Sequence, residues 1–402
     1  MKLIKLPLEF QKARIILEKI RNAGFEAYFV GGSVRDTLLG LPLHDVDIAT
    51  SAYPAEVKQI FKKTVDTGIE HGTVTVLDHG DGYEVTTFRT ESTYQDYRRP
   101  DSVEFVRSLE DDLKRRDLTI NALALSLDGE VIDLFGGLED LKKGLIKAVG
   151  NPNERYHEDA LRMMRTVRFA SQLDFEIEAT TLKAVAENAY LLEKIAVERI
   201  NVEWTKLLLG KNPKKGITGF IETQLFAYCP MFKTMDQVFK KILSLEQLHF
   251  NNEVTAWTLV CYLSLENHKQ VSKLLKAWKC SNELIANVQN CFSALALLKI
   301  GQIDAWNLYT IGLPSFEMAN YVADMLGFPR DMTTIQDSYK ALPIKNKKEL
   351  AINGGNLIKD LQFTPGPLLG KTLNTIEKKV VSGELRNELS LLEIAARKIQ
   401  ND

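Results

Sequence analysis

Cysteine is scarce in this chain: four in 402 residues (Cys229, Cys261, Cys280 and Cys291), with no C-x-x-C pair and only six histidines. Neither a zinc site nor a disulfide framework is expected from that supply, and buried free thiols are the simpler account. Long apolar runs are missing too; nothing approaches the roughly 20 residues that a membrane-spanning helix needs. The first twenty residues carry Lys2, Lys5, Glu9, Lys12, Arg14 and Glu18, so no secretory signal is expected there and the cytoplasm is the expected location. Charge of one sign is not in excess: 51 Lys and Arg face 53 Asp and Glu, a formal net charge of −2. That balance argues against indiscriminate binding to polyanions but leaves room for a local basic patch. No low-complexity tract and no fixed-period repeat is present. What is there, 45% hydrophobic and 26% charged, reads as a soluble globular protein. Its length calls for roughly two to four domains.

Up to about residue 140 the chain alternates strand and helix signals. The candidate strands are Ala27 to Val30, Asp45 to Ala49, Thr73 to Leu77, Tyr83 to Phe88, Ser102 to Val106 and Val131 to Leu134. Asp78-His79-Gly80-Asp81-Gly82 between the third and fourth reads as a hairpin turn. From Arg155 onward the pattern is helical, with breaks at Gly210 to Gly216, Pro230, Gly301 and Gly312 to Pro314. The expected fold class is α+β, a small mixed sheet-bearing head followed by a long all-helical part. Thr90 to Pro100 is polar and aperiodic, a solvated loop by composition and an active-site loop by position.

The most informative stretch runs from Tyr28 to Thr50. An apolar run, Tyr28-Phe29-Val30, enters the double glycine Gly31-Gly32 and then a helix-like Val34 to Leu39. After the Gly40 to Pro42 break, a second strand-like run carries Asp45 and Asp47. On a strand, residues i and i+2 point to one side, so both carboxylates are expected to face one place while Val46 and Ile48 face the core. A glycine turn opening a helix offers free backbone N–H groups to phosphate. Two hard oxygen ligands beside such a cradle suit Mg²⁺ holding a nucleoside triphosphate. A Gly-Gly turn or an Asp-x-Asp alone is common; their combination in this order is not.

In that combination the segment resembles the polymerase-β-type nucleotidyltransferase signature, in the branch of tRNA CCA-adding enzymes and bacterial poly(A) polymerases. The resemblance implies that Asp45 and Asp47 hold Mg²⁺, with Glu84 in Tyr-Glu-Val-Thr-Thr-Phe-Arg as candidate third carboxylate; Glu84 reads equally as an exposed strand residue. Gly32, Ser33 and Arg35 would hold phosphates, although Arg35 has Asp36 beside it as an alternative partner. Arg115-Arg116-Asp117-Leu118-Thr119-Ile120-Asn121-Ala122 would ordinarily be a solvated helix face. It resembles the second motif of the family nearly letter for letter, which assigns Arg116 and Asp117 to the nucleotide's sugar and phosphates. Asp133-Leu134-Phe135-Gly136-Gly137 resembles the third, a hinge, though a plain strand-to-helix turn needs the same residues.

Tyr156 to Ala170 reads as one helix with Ala160, Met163, Met164, Val167 and Ala170 on an apolar face and Asp159, Arg162, Arg165 and Arg168 across the other side. An acid and an arginine three apart on a helix are neighbours, so an ordinary ion pair accounts for them. Chemistry offers more. Cytosine and adenine both present an amino donor beside a ring acceptor, whereas uracil and guanine present a carbonyl beside an N–H. An Asp acceptor next to an Arg donor therefore matches C and A and rejects U and G. The resemblance places the family's base-selecting Glu-Asp-x-x-Arg on Glu158, Asp159 and Arg162, and leaves Arg165 and Arg168 for the triphosphate or the base.

The resemblance covers essentially the whole chain and is softer from Asn201 onward. It implies a nucleotidyltransferase head over 1–148, a base-selecting neck over 149–210, a helical body over 211–290 and a helical tail over 291–402, the last two binding tRNA. The expected activity is Mg²⁺-dependent, template-independent addition of C, C and A to the 3′ end of tRNA from CTP and ATP, with release of pyrophosphate. The expected partner is tRNA, through its 3′ end and acceptor/TΨC region; a homodimer is left open. In the tail, Asn353-Gly354-Gly355, Thr364-Pro365-Gly366-Pro367 and Lys345, Lys347, Lys348, Lys378 and Lys379 read equally as caps and turns or as RNA contacts, and the resemblance favours tRNA. The alternatives are a poly(A) polymerase, against which Ala160 argues mildly, an enzyme adding only CC or only A, and a catalytically inert RNA-binding relative.

Overall fold

The computed structural model describes residues 1–43, 45–91, 94–95, 99–100 and 103–401. They form two compact units, Met1–Leu243 and Ser244–Asp402. In the first, α1 (Leu8–Asn22), β1 (Ala27–Val30), α2 (Gly32–Leu38), β2 (Asp47–Thr50), α3 (Pro54–Ile60), β3 (Thr64–Gly68), β4 (Thr73–Asp78) and β5 (Asp81–Thr87) come first. The short strands β6 (Arg89–Glu91), β7 (Tyr94–Gln95), β8 (Arg99–Pro100) and β9 (Val103–Phe105) pair as two antiparallel ribbons, β6 with β9 and β7 with β8. Of the expected loop Thr90 to Pro100, residues 92, 93 and 96–98 lie outside the described residues. Next come α4 (Leu109–Lys114), β10 (Leu123–Leu125), β11 (Val131–Asp133) and α5 (Gly137–Lys143).

A seven-stranded sheet in the order β11-β10-β1-β2-β5-β4-β3 organises this unit. Every neighbouring pair is antiparallel except β2 with β5. One face carries Phe29, Ile48, Val74, Val76, Val85 and Leu123 into a core shared with Phe10, Ile16 and Leu17 of α1. The other face carries Val30, Ala49 and Ala124 against Phe88, Leu113 and Val149. Alternation along the strands produces this division. The predicted hairpin is present: Asp78 pairs with Asp81, and His79 and Gly80 between them take positive φ of 48° and 93°.

Two strands of the seven-stranded sheet went unread in the sequence. β3 carries only one apolar residue, Val65, and Val65 is exposed, so no alternation marks it. β10 is buried at all three positions and looks like one continuous apolar run. A third difference concerns β2, which begins at Asp47 rather than Asp45. Its antiparallel partner β1 ends at Val30, opposite Asp47, because the chain turns at Gly31. Asp45 has no strand to pair with there.

The helical part of the first unit comprises α6 (Pro152–Glu158), α7 (Leu161–Leu173), α8 (Ala179–Asn188), α9 (Val197–Leu208), α10 (Pro213–Glu222) and α11 (Asp236–Ser244). The run is not purely helical. β12 (Leu145–Ile146) and β13 (Glu176–Ile177) form a short parallel ribbon. Helix α7 packs against both α9 and α10. Gly216 and Gly219 make the second contact close: a Cβ on Gly216 would stand 2.7 Å from Leu207 Cγ and Ser171 Cβ, and one on Gly219 would stand 3.2 Å from Val167 Cγ1. Gly216 therefore sits inside a helix rather than marking the break expected of it.

The second unit contains α12 (Glu253–Ser264), α13 (Val271–Ala277), α14 (Asn282–Ile300), α15 (Ala305–Ile311), α16 (Leu313–Met325), α17 (Met332–Ala341), α18 (Gly354–Leu361), α19 (Pro367–Val381) and α20 (Leu389–Asn401). The expected body–tail boundary at 290/291 falls within α14, a continuous helix burying Leu284, Val288, Phe292 and Leu295. The expected neck–body boundary at 210/211 likewise separates α9 and α10, which pack on the same helix. In the tail, Asn353 and Asn356 form a reciprocal cap on α18, and Pro367 opens α19, so these residues serve as helix caps. Three of the cysteines are buried and Cys280 half-buried, all as free thiols. Among the described residues no helix is long and apolar enough to cross a membrane.

Candidate active site

The chain leaves β1 through Gly31, at φ 70° and ψ −133°. A side chain is strained there whatever the surrounding space. Space is short as well: a Cβ would lie 2.8 Å from Arg116 Nη1 and 3.9 Å from Asp47 Oδ2. Glycine thus lets an arginine and a carboxylate close over the turn. Helix α2 then carries Arg35, which is buried and donates to both Asp36 oxygens at 2.8 and 2.9 Å and to Asn121 Oδ1 at 2.5 Å. The Ser33 hydroxyl turns inward and donates to the Val30 carbonyl at 3.0 Å. That side chain does not reach toward a phosphate as expected; only its main chain remains for such a contact.

Asp47 sits at the edge of the sheet face opposite the main core. Protein crowds around its carboxyl and holds it above the usual carboxylate range; Arg116 pulls the other way, while Glu84 and Asp45 add to the rise. Glu84 precedes Val85, the parallel partner of Ile48, and so lies beside Asp47 on the same face. Asp45, Asp47 and Glu84 are all exposed at the residue level. Asp47 feels the charge of both neighbours, yet among the described residues no three metal-ligating side chains converge as a closed cage. Hard oxygens held near each other at a cost, with open coordination, fit a divalent ion whose remaining ligands come from substrate phosphates and water.

Opposite the acids stands a basic wall. Asp112 of α4, only 1% exposed, accepts from Arg115 Nη2 at 2.8 Å and Arg116 Nη2 at 3.2 Å, and so aims two consecutive arginines. The Asp117 carboxyl, although buried, is held far below the usual range because Arg165 Nε donates to it at 2.6 Å and Asn121 Nδ2 at 3.2 Å. Arg165 is correspondingly raised by Asp117. Arg168 is pushed down to about 10 by burial, with Glu203 at 2.5 Å opposing the shift, and stays cationic at neutral pH.

The stretch predicted as one helix is broken. α6 ends at Glu158, Asp159 adopts extended φ and ψ of −138° and 105°, and α7 starts at Leu161. Asp159 and Arg162 are therefore not helix neighbours. Asp159 accepts from Leu161 N at 3.0 Å and from Arg199 Nη2 of α9 at 2.8 Å. Arg162 donates to Glu158 Oε2 at 2.5 Å and to the Arg115 carbonyl at 2.9 Å. The apolar side is as expected: Ala160, Met163, Met164, Val167 and Ala170 are all buried.

Gly32, Arg35, Asp47, Arg116, Asp117, Asp159, Arg162, Arg165 and Arg168 line one open cavity of about 500 Å³. Ser33, Asp45 and Glu84 do not line it. The cavity also takes in Gly31, Arg115, Asn121, Phe169, Gln172 and Arg199, none of which the sequence reading had assigned to the site. Arg115 and Asn121 stand inside the quoted motif and were within reach of it. Arg199, 40 positions beyond its partner Asp159, carried no local signal. Arginines at 35, 115, 116, 162, 165, 168 and 199 against aspartates at 47, 117 and 159 make the lining strongly cationic in a protein of net charge −2. Such a cavity is built for a polyanion.

Comparison with known proteins follows the same division of the chain. Residues 27–147 match the poly A polymerase head domain, 174–235 a probable RNA and SrmB-binding site of polymerase A, and 248–396 the putative tRNA nucleotidyltransferase domain 2. The CCA-adding enzyme of Ligilactobacillus salivarius is 56% identical over 98% of this chain and 98% of its own length. That of Lactiplantibacillus plantarum is 55% identical over 99% and 98%. Among solved structures, the Bacillus stearothermophilus CCA-adding enzyme in complex with CTP superposes with a TM-score of 0.87 at 37% identity, covering 98% of both chains. The Thermotoga maritima CCA-adding enzyme complexed with tRNA shares the fold, with a TM-score of 0.61 at 23% identity over 98% and 96%.

Proposed function

The chain belongs to the CCA-adding enzymes, the tRNA nucleotidyltransferases that add C, C and A to tRNA 3′ ends, and from that premise we propose how its own residues divide the work. Arg35, Arg116, Arg165 and Arg168 receive the triphosphate of CTP or ATP, aided by the main chain at Gly32 and Ser33, while Asp117 keeps Arg165 aimed. Asp45 and Asp47, with Glu84 beside them, hold Mg²⁺. When bound, the ion acidifies the attacking 3′-hydroxyl and neutralises charge on the departing pyrophosphate. Asp159 accepts from the exocyclic amino group of cytosine or adenine, and Arg162 donates to the adjacent ring nitrogen. Arg199 fixes the Asp159 carboxylate, whose remaining lone pairs face the base as acceptors, and the Arg162 donor beside it supplies the discrimination. The lysines of the second unit, Lys345, Lys347, Lys348, Lys378 and Lys379 among them, contact the tRNA backbone in the acceptor/TΨC region. Action on tRNA supports a cytoplasmic location.

One observation carries this reading: residues from four separate stretches, around 31–47, 115–121, 159–172 and 199, meet at a single arginine-lined cavity. Its test is direct. Purified protein is incubated with Mg²⁺ and tRNA lacking its last three nucleotides, with CTP and ATP supplied separately and together. Three-nucleotide extension with both supports the reading. A long A tail from ATP alone points to a poly(A) polymerase, and extension by CC or A only to a partial enzyme.

A further inference from the structure

Phe169, near the end of α7, is 4% exposed and lines the nucleotide cavity. Around its ring centroid stand the guanidinium carbons of Arg168 at 3.9 Å, Arg35 at 4.9 Å and Arg165 at 5.5 Å, all within the range of cation–π attraction. These cations come from two elements, α2 and α7. Each also has an acid: Asp36 for Arg35, Glu203 for Arg168 and Asp117 for Arg165. The ring itself is anchored, because Phe169 belongs to the same buried cluster as Phe29, Val34 and Ile48 beneath the sheet.

Three like charges gathered at one place repel each other, more strongly where water is excluded. A further carboxylate would relieve that repulsion but would cancel charge meant for phosphate. An aromatic face does otherwise. It attracts each cation through its quadrupole while carrying no net charge. We propose that Phe169 is a positioning residue, a neutral hub that keeps Arg35, Arg165 and Arg168 gathered and fully charged ahead of nucleotide binding. It ties the phosphate-facing α2 to the base-selecting α7, and it acts on CTP and ATP alike because it sits among the arginines rather than at Asp159. This deepens the function proposed above and rests on it only in requiring that the cavity take nucleoside triphosphates.

The test measures CTP and ATP affinity by calorimetry without tRNA, so that no turnover intervenes. Phe169→Leu keeps the site apolar but removes the π face. It should weaken both nucleotides by about 10- to 100-fold, the sum of two or three such contacts, with the CTP-to-ATP ratio unchanged. Replacing Phe169 by 4-fluoro- and then 3,4,5-trifluorophenylalanine keeps the shape and drains the ring face stepwise, so affinity should fall stepwise, and KM should rise more than kcat falls. This series also decides the matter if Phe169→Leu fails to fold. Affinity independent of fluorination overturns the proposal, as does Phe169→Leu binding like the wild type. Wild-type protein that binds neither nucleotide would instead overturn the functional reading itself.

Discussion

Gly31→Ala is a sharp perturbation because strain and crowding act at one atom. The backbone at φ 70° and ψ −133° costs an alanine about 1–3 kcal/mol relative to glycine. At about 2–4 °C per kcal/mol for a unit of this size, the melting temperature should fall by about 2–12 °C. The new methyl group would also meet Arg116 Nη1 at 2.8 Å, and that guanidinium, the far end of a flexible side chain, is what gives way. Arg116 then leaves its place between Asp47 and Asp112. Loss of one charge-assisted contact to phosphate is worth about 1.5–3 kcal/mol, so CTP and ATP should bind about 10- to 100-fold more weakly. Gly32→Ala is the internal control. Its Cβ would touch only the Arg35 guanidinium, at an ordinary 3.6 Å to Nη2 and 4.0 Å to Nη1, and the residue is already helical. There alanine should stabilise by about 0.4–1 kcal/mol. Thermal unfolding and nucleotide calorimetry on the two variants decide the issue. Equal behaviour of the pair, or a Gly31→Ala protein that melts and binds like the wild type, refutes the argument.

Asp47→Asn should abolish nucleotide transfer yet leave the melting temperature at pH 7 unchanged or raised, since the protein crowded around the native carboxylate, with Glu84 and Asp45, holds it against its preference; a clear loss of stability contradicts this. Asp117→Asn removes the buried partner of a pair whose arginine is half-buried and should cost about 1.5–3 kcal/mol at neutral pH, the worth of a hydrogen bond to a charged group. Because the folded Asp117 titrates below its ordinary value, its stabilisation is complete above the usual carboxylate range and disappears as pH falls through the lowered folded value. Urea denaturation at a series of pH values should therefore show wild type and variant converging in acid. Asp159→Ala should preserve transfer from CTP while UTP and GTP incorporation rises. Arg199→Ala should do so more weakly, because Leu161 N still holds the Asp159 carboxylate at 3.0 Å. Single-nucleotide extension gels with each NTP check both, and unaltered base choice in Asp159→Ala defeats the proposed recognition.

Most of the head was legible because its strands are built from alternating apolar residues and its turns from glycine: β1, β4, β5 and the hairpin at His79-Gly80 follow local rules. β3 escaped because an exposed edge strand needs no apolar alternation. The helix break at Asp159 escaped because no glycine or proline marks it; the Asp159 side chain caps Leu161 N locally, and its other oxygen meets Arg199, a tertiary contact no window of sequence contains. The same limit applies to the site. Motif residues such as Arg116, Asp117, Arg162 and Arg165 converge on one cavity, but which acid holds which arginine depended on packing: Arg162 pairs with Glu158, Asp159 with Arg199, and Arg168 with Glu203. The Asp133 to Gly137 stretch also shows the limit. Asp133 accepts from Gly137 N and Leu138 N, both at 2.9 Å, and Gly137 is pressed against the Thr119 carbonyl, which is how a strand-to-helix turn is built.

The glycine-lined seam between α10 and α7 bears on how such an enzyme changes over time. The helix carrying Arg162, Arg165 and Arg168 leans on a neighbour that lines none of the cavity, with Gly216 close against Ser171 and Gly219 close against Val167. A methyl group at Gly216 would stand 2.7 Å from Ser171 Cβ, so α10 or α7 has to give, and where α7 gives every guanidinium on it travels with the backbone. Discrimination among incoming bases can therefore drift through changes well away from any base, and an engineer seeking altered nucleotide preference has a handle in α10 that leaves each polar contact chemically intact.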